Sequence, residues 1–235
     1  MLVLGHRGAS ADAPENTPEA FALADRMGAD GVELDVRRVT DGRLLVAHDP
    51  LPDDLDQVDA MAPATLADVL DACGDRMLVN GEIKNWKGDT GHDPTMAMVA
   101  PIIDELRRRG PRARSRWLIS SFSWSTVAAC RVLAPDIATA CLTAGAPDDA
   151  AIDRVAAAGH SALHPRERDV DEALVASCHQ RGLAVNTWTC NDAARLVELA
   201  RLGVDGVCTD VPDVALAALG RDGAVAVPSW PTIIP

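Results

Sequence analysis

The sequence predicts an α/β fold of the (β/α)8 TIM-barrel class, in which eight parallel strands alternate with helices. Short runs rich in Val, Ile and Leu alternate eight times with longer alanine-rich amphipathic segments, as such a barrel requires. The length of 235 residues and the 48% content of hydrophobic residues suit one barrel with a full core. No G-x-G-x-x-G or G-x-x-x-x-G-K-[ST] motif supports the alternative, a doubly wound open sheet.

The predicted elements follow one another in a regular order. The strands are LVLGH (2–6), GVELDVR (31–37), MLVNGEIK (77–84), RWLISSF (116–122), DIATACL (136–142), HSALHP (160–165), GLAVNTWT (182–189) and DGVCTD (205–210). The helices lie near 17–27, 65–72, 94–109, 123–133, 148–157, 170–181, 191–201 and 212–219. At the first helix, Asn16 or Thr17 is the N-cap and Gly28 ends the helix.

One additional strand, RLLVAHD (43–49), breaks the eight-fold count. It is joined to the second strand by T-D-G-R, and an Asp-Gly pair between apolar runs is a strong hairpin signal. If the pair at 41–42 forms a two-residue turn, the register places His48 opposite Asp35. Directly opposed residues project from the same face, so the hairpin is predicted to bring His48 to the polar face of the second strand. A bulge of one residue would change this register.

Composition limits the classes of partner. Lys and Arg number 22 against 35 Asp and Glu, a net charge of −13 that argues against nucleic acid or an anionic membrane as partner. The six cysteines show no C-x-x-C pair or zinc spacing, so we interpret them as reduced core residues. No signal-peptide pattern or apolar stretch of membrane-spanning length is present. We expect a cytoplasmic protein without stable membrane insertion, monomeric or homodimeric.

The domain organisation is predicted to be simple. We expect a single barrel domain over residues 1–219, followed by a C-terminal extension over 220–235. In this extension, Trp230, Ile233 and Ile234 are candidates to pack on the barrel.

The second strand carries an acidic face. Val32, Leu34 and Val36 share one face, whereas Glu33 and Asp35 share the other, and Arg37 continues it. Alternation alone is also typical of a strand with one solvated face. In a barrel, however, polar residues at the carboxyl ends of strands form the site. Such residues are His6, Arg7, Glu33, Asp35, Glu82 and Lys84, joined through the hairpin by His48.

The residue types point to phosphodiester chemistry. Three carboxylates without sulfur suit one hard divalent cation, Mg²⁺ or Ca²⁺, better than zinc. The three carboxylates, the divalent ion and the side chains of Arg7 and Lys84 together have a net charge of +1. This charge suits a monoanion such as a phosphodiester. His6 and His48 supply an acid and a base. Each residue alone has an ordinary explanation. We assign an ordinary structural role, as hydrogen-bonded core or loop histidines, to His92, His160, His179 and His164. Their combination at neighbouring strand ends favours a site.

The ordered motifs HRGAS, PENTPEAF, GADGVELDVRRVTDGRLLVAHDP and EIK, then WTCND (188–192) and GVDGVCTDVP (203–212), resemble the glycerophosphodiester phosphodiesterase family. The resemblance implies a barrel that hydrolyses a small-molecule glycerophosphodiester to glycerol 3-phosphate and an alcohol with a divalent metal. The implied roles are acid and base for His6 and His48, metal binding for Glu33, Asp35 and Glu82, phosphate binding for Arg7 and Lys84, and a position in or near the substrate cleft for Asn16 and Trp188.

Two other functions remain open from the sequence. A related barrel lysophospholipase D or phospholipase C-like lipid hydrolase would use the same residues but needs an apolar entrance for acyl chains. A non-catalytic barrel that binds phosphorylated metabolites is disfavoured, because binding alone needs no acid and base beside a metal. Attack by water or by the glycerol 2-OH is equally compatible with the residues, and either histidine can be the acid. The segment 50–80 is shorter than the usual family insertion, which predicts a small cap over the site.

Overall fold

The computed structural model describes residues 1–89, 91–223 and 228–232. Eight parallel strands close into a barrel surrounded by helices, which confirms the predicted fold class. A ninth strand, β3, pairs antiparallel with β2 outside the ring. The strands are β1 (Leu2–His6), β2 (Gly31–Arg38), β3 (Leu44–Val46), β4 (Leu78–Ile83), β5 (Trp117–Ser121), β6 (Ala138–Leu142), β7 (Ala162–His164), β8 (Ala184–Thr187) and β9 (Gly206–Thr209).

The helices connect successive strands on the outside of the barrel. They are α1 (Pro18–Met27), α2 (Leu55–Met61), α3 (Leu66–Ala72), α4 (Val99–Arg108), α5 (Gly110–Arg114), α6 (Trp124–Leu133), α7 (Asp149–Ala157), α8 (Glu172–Gln180), α9 (Ala193–Arg201) and α10 (Pro212–Ala218), with a 3₁₀ turn at Glu167–Asp169. Within the described part of the chain, no helix combines the length and apolar character needed to cross a membrane.

The alternation within β2 separates the core from the site. Val32, Leu34 and Val36 are buried among helix residues such as Phe21 and Ile103, and burial of each such side chain stabilises the fold by about 1.5–3 kcal/mol. The alternate residues of β2 therefore face the barrel interior. Since β1 pairs with both β2 and β9, the ring is closed and every strand presents its alternate residues to one shared interior.

Side-chain caps fix where most helices begin. Thr17, not Asn16, caps α1, because its hydroxyl accepts a hydrogen bond from the Ala20 N–H. Gly28 ends this helix in the left-handed conformation, as predicted. The same type of N-cap contact starts further helices at Asp54, Thr65, Ser123, Asp148, Asp171 and Asp192.

The predicted hairpin exists, but its predicted register is wrong by one residue. Val36 pairs with Val46, and the Ala47 N–H donates to the Asp35 carbonyl, so Ala47 and not His48 lies opposite Asp35. The turn holds three residues rather than two, since the Val39 N–H bonds to the carbonyl of residue 43. Gly42 adopts φ +94°, the left-handed position of a three-residue hairpin loop with a bulge.

Three helical details differ from expectation. The helix predicted over 94–109 begins only at Val99, because the Asp93 carboxylate accepts hydrogen bonds from the N–H groups of Thr95 and Ala97 in a preceding turn. Helices α2 and α5 were not predicted. Val58 of α2 is buried against the hairpin residues Val39 and Leu45, so this part of the 50–80 segment packs beside the hairpin.

Trp230 of the C-terminal extension packs under the barrel, at the end where the strands begin. There the interior residues are small or apolar, and Trp230 packs against Leu118, Ala138 and their neighbours. Its indole Nε1–H donates to the Arg116 carbonyl over 2.9 Å. The expected contact of Trp230 with the barrel is therefore seen, whereas Ile233 and Ile234 lie outside the described residues.

Candidate active site

A cavity of about 80 Å³ lies at the carboxyl ends of the barrel strands. Most of the predicted site residues border it, although they come from β1, β2, β4, β8 and the hairpin. These lining residues are His6, Arg7, Glu33, His48, Glu82, Lys84 and Trp188. Asp35 and Asn16 lie directly behind this layer, where both are buried and bonded to each other. The barrel thus brings together residues that are up to 182 positions apart (6 to 188) in the sequence.

Three buried carboxylates form the centre of the site. The parallel register pairs Asp35 of β2 directly with Glu82 of β4, and Glu33 lies on the same face of β2. One oxygen from each lies within 4.8 Å of the others. Burial and the repulsion of Asp35 raise the pKa of Glu33 to about 8, and burial also raises the pKa of Glu82. Negative charge in this cluster is therefore only partly compensated by the protein itself.

The donor set fits a divalent cation. Three carboxylate oxygens in close proximity are the ligands that hard ions such as Mg²⁺ and Ca²⁺ prefer. The raised pKa of Glu33 indicates that this cluster accepts a positive charge, either a proton or a cation. Glu33, Asp35 and Glu82 are the residues that would hold such an ion.

Lys84 and Asn16 fix the Asp35 carboxylate. Lys84 Nζ lies 2.8 Å from Asp35 Oδ1 and 2.8 Å from Glu82 Oε1. The Asn16 amide donates to Asp35 Oδ2 over 2.9 Å, and Arg7 Nε lies 3.3 Å from that oxygen. Burial alone would raise the pKa of Asp35, but Lys84 and the hydrogen bond from Asn16 lower it below its usual value. Asp35 is therefore an ionised, rigidly held carboxylate.

His6 ends β1 and is oriented by Asp210. Its Nδ1 lies 2.6 Å from Asp210 Oδ1, which leaves Nε2 as the nitrogen available for proton exchange. Ser10 and Asn191 donate further hydrogen bonds to the Asp210 carboxylate. Burial would lower the pKa of His6, but the hydrogen bond to Asp210 and the charge of Glu33 raise it. The same hydrogen bonds outweigh burial and lower the pKa of Asp210 to about 2.

Sequence reasoning missed Asp210 as a site residue. The signal was its position immediately after β9, at the same end of the barrel as the other acids. It lies within the quoted motif GVDGVCTDVP, from which no role was inferred.

His48 reaches the cavity by a route other than the predicted one. Strand β3 ends at Val46, and the chain then turns, so that His48 borders the cavity from outside the strand ladder. Its imidazole is 40% exposed and Nδ1 lies 2.8 Å from Asp49 Oδ1. Its carbonyl accepts hydrogen bonds from Arg37. Arg37 therefore holds the His48 backbone rather than a carboxylate of the acidic cluster.

A second polar layer lies deeper in the same cavity. His164, which the sequence analysis assigned to an ordinary structural role, lines this cavity together with Asn80, Ser120 and Asn186. Burial lowers the pKa of His164 to about 3, so it is neutral at physiological pH. Within the described residues, Asn80 Oδ1, Ser120 Oγ and Asn186 Oδ1 have no hydrogen-bond partner. This layer was missed because its residues alternate with apolar ones in short strands that resemble ordinary core.

An open groove of about 480 Å³ adjoins the cavity. Its walls include the aromatic rings of Trp86, Phe122 and Trp188. The Trp188 and Phe122 rings meet edge to face at 5.4 Å, and the Arg166 guanidinium lies over the Trp188 ring. Trp188 thus lines both the cavity and the groove beside it.

Comparison with known families agrees with this geometry. The model of the glycerophosphoryl diester phosphodiesterase family matches residues 6–72 and 57–214, which together include the strand-end residues described above. The chain belongs to this family. Since the glycerophosphoryl diester phosphodiesterases are enzymes, the non-catalytic alternative is disfavoured further.

Individual relatives extend over nearly the whole chain. A glycerophosphodiester phosphodiesterase of Caldanaerobacter subterraneus subsp. tengcongensis is 28% identical, over 94% of this chain and 99% of its own length. The crystal structure of a glycerophosphodiester phosphodiesterase from Thermotoga maritima has a TM-score of 0.76 and 26% identity, over 94% and 98% of the two chains. An Oleispira antarctica phosphodiesterase, solved with its product sn-glycerol-3-phosphate, has a TM-score of 0.82 and 24% identity, over 94% and 97% of the two chains.

Proposed function

We propose that the protein hydrolyses glycerophosphodiesters to glycerol 3-phosphate and an alcohol, with His6 and His48 as the acid and base and with one divalent cation, Mg²⁺ or Ca²⁺. The observation that carries the proposal is that both histidines border the same cavity as Glu33 and Glu82. Membership of the glycerophosphoryl diester phosphodiesterase family supports the substrate class.

The cationic side chains bind the phosphate. Arg7 and Lys84 both border the cavity, and their charges offset the neighbouring carboxylates. A phosphodiester monoanion that enters the cavity meets these cations as charge-assisted donors. Lys84 then shares its three donors between the phosphate and its present partners, Asp35 and Glu82. Trp188 covers the substrate from the side of the groove.

A divalent cation held by Glu33, Asp35 and Glu82 would polarise the phosphate and lower the pKa of the attacking hydroxyl. The two histidines provide the proton transfers. His6 keeps its Nδ1–H on Asp210, so its Nε2 is the nitrogen that accepts or donates the proton. His48, which also borders the cavity, performs the complementary transfer. One histidine takes the proton of the attacking hydroxyl, and the other protonates the oxygen of the leaving alcohol.

The test is an assay of glycerol 3-phosphate release from glycerophosphocholine, with and without EDTA. We expect release that stops in excess EDTA and returns when Mg²⁺ or Ca²⁺ is added back. Full activity in EDTA would contradict the metal requirement. Absence of release under all metal conditions, from protein whose fold is verified by circular dichroism, would contradict the substrate class.

The aromatic groove favours a second candidate, a lysophospholipase D-type activity. Such an enzyme needs an apolar entrance for an acyl chain, and the rings of Trp86, Phe122 and Trp188 provide apolar surface next to the cavity. Comparison of lysophosphatidylcholine with glycerophosphocholine under the same conditions distinguishes the two. A higher kcat/KM for the lysophospholipid would favour the second candidate.

A further inference from the structure

We propose that Arg37, together with Asp89, is a positioning residue that holds the His48 backbone at the edge of the cavity. The inference rests on the proposed role of His48 in proton transfer. Arg37 is the last polar residue on the face of β2 that carries Glu33 and Asp35, and it takes no part in the acidic cluster. The proposed positioning gives this residue a role.

The contacts of Arg37 form a clamp between three separate parts of the chain. Its Nε and Nη2 donate to the His48 carbonyl over 3.1 Å and 2.6 Å. Its Nη1 donates to Asp89 Oδ2 over 2.9 Å. Asp89 belongs to the segment after β4, and its other oxygen accepts from the Gly91 N–H over 3.3 Å. The clamp therefore links β2, the end of the hairpin and the segment after β4.

Other contacts of His48 provide little restraint. The last backbone hydrogen bond between the hairpin and β2 runs from the Ala47 N–H to the Asp35 carbonyl, so sheet pairing stops one residue before His48. The partner of the imidazole, Asp49, has a side chain that is 90% exposed, and such surface contacts are weak. Because an acid or base must be held within hydrogen-bond reach of its oxygen, the clamp at the His48 carbonyl has the geometry needed to supply that precision.

The burial of the clamp indicates a specific use. The side chains of Arg37 and Asp89 are 8% and 4% exposed, and burying two charges costs free energy that an apolar pair would not require. The planar guanidinium, however, directs two donors at one carbonyl and a third at a carboxylate at the same time. A lysine lacks this fork, which makes Arg37→Lys an informative variant.

The experiment is a double-mutant cycle with Arg37→Met, His48→Ala and the combined variant, assayed on glycerophosphocholine. If Arg37 acts through His48, Arg37→Met lowers kcat at least tenfold and changes KM less than threefold, because Arg7 and Lys84 are retained. In the His48→Ala background the same change then costs less than twofold. Equal losses of kcat in both backgrounds would overturn the proposal, as would a change confined to KM.

Matched variants separate positioning from general destabilisation. Arg76 also donates to a carboxylate and to a backbone carbonyl, those of Asp25 and Ala29, away from the cavity. Arg76→Met is expected to keep kcat within twofold of the unmodified protein, whereas Arg37→Lys is expected to lose most of what Arg37→Met loses. If Arg37→Met does not fold, Asp89→Asn, which keeps an oxygen for Nη1, and Asp89→Leu, which does not, replace it. The larger loss of kcat is then expected in Asp89→Leu, and equal kcat in both would overturn the proposal.

A readout independent of turnover keeps the clamp and the proposed function distinguishable. In the protein labelled with ¹³C-histidine, Arg37→Met should shift or broaden the His48 ring signal and leave that of the remote His160 unchanged. An unchanged His48 signal would overturn the clamp. If the unmodified protein releases no glycerol 3-phosphate, the proposed function fails, while the NMR result still decides whether Arg37 positions His48.

Discussion

Two carboxylates two residues apart on β2 respond in opposite ways to the same buried environment. Asp35 is held by Lys84 and Asn16, which lower its pKa. Glu33 accepts a hydrogen bond from the Arg7 N–H but forms no ion pair within the described residues, and its pKa is raised to about 8. The difference comes from neighbours rather than from depth, since both side chains are buried. Glu33 is therefore the acid of the cluster whose charge state depends most on a bound cation.

The pKa of Glu33 predicts the pH dependence of stability without metal. Because the folded-state pKa of Glu33 lies above its value in the unfolded chain, folding takes up a proton between these two pKa values. The free energy of unfolding therefore falls as the pH rises from about 4.5 to 8. Its slope is at most about 1.4 kcal/mol per pH unit. Glu33→Gln should flatten the dependence of the unfolding free energy on pH, measured by urea denaturation in EDTA from pH 5.5 to 7.5. An identical slope in both proteins would contradict the assignment.

The histidines are predicted to act as one unit. His6→Ala and His48→Ala should each lower kcat at least ~10²-fold, the usual effect of losing a positioned acid or base. The double variant should be little worse than the poorer single one, since residues of one catalytic unit are not additive. Initial rates of glycerol 3-phosphate release measure this, with Glu19→Gln, in the first turn of α1, as a control that should keep full activity. Strictly multiplicative losses would indicate separate roles.

How much of the site is predictable depends on the type of signal each residue leaves. Glu33 with Asp35, and Glu82 with Lys84, repeat at i, i+2 in apolar strands, so their shared face is visible in the sequence. His164 ends a strand of three residues, two positions after Ala162, and in the sequence it looks like a core residue. Its relation to the cavity depends on the stagger of the closed barrel, which no local pattern encodes.

At the scale of elements, the hairpin was predictable from the turn sequence but its register was not. Thr-Asp-Gly-Arg is compatible with a two-residue or a three-residue loop, and both place glycine at a positive φ. The choice shifts the partner of Asp35 by one residue, from His48 to Ala47. The eight barrel strands were predicted to within two residues at every boundary, because each is a separate β-rich run between turn residues.

The loop conformation predicts a cost for replacing Gly42. A side chain at φ +94° is strained, so Gly42→Ala should destabilise the protein by about 1–2 kcal/mol. It should also lower kcat, because the β3 strand leads directly to His48. Chemical denaturation and initial rates measure both effects. Gly145→Ala is the control, since the added methyl group meets no atom within 4 Å there and φ is outside the left-handed region. Comparable destabilisation by both variants would contradict this explanation.

At the scale of the whole molecule, the short connection between the hairpin and β4 shapes the substrate opening. Its helix α2 packs beside the hairpin, and the groove next to the cavity is open, with Trp86 at its wall 52% exposed. An open side provides few contacts that differ between leaving groups. Recognition is therefore expected to concentrate on the glycerol phosphate side.

This openness predicts broad tolerance of the leaving alcohol. Glycerophosphocholine, glycerophosphoethanolamine and glycerophosphoglycerol should have kcat/KM values within about tenfold, or ~1.4 kcal/mol in transition-state binding. Replacement of the glycerol by a simple alkyl group should cost much more. A thousandfold preference for one head group, in steady-state assays of the purified protein, would show that the groove discriminates between leaving alcohols.

The contact of Trp230 with the base of the barrel has a consequence for the order of events during biosynthesis. The first strand leaves the ribosome more than two hundred residues before the side chain that covers the strand beginnings. Until then the interior alanines at that end are exposed to water. Arg221, from the same extension, pairs with Asp30, which also accepts the Val3 N–H. The base of the barrel beside the first strand is thus completed only after the chain has been synthesised through Trp230.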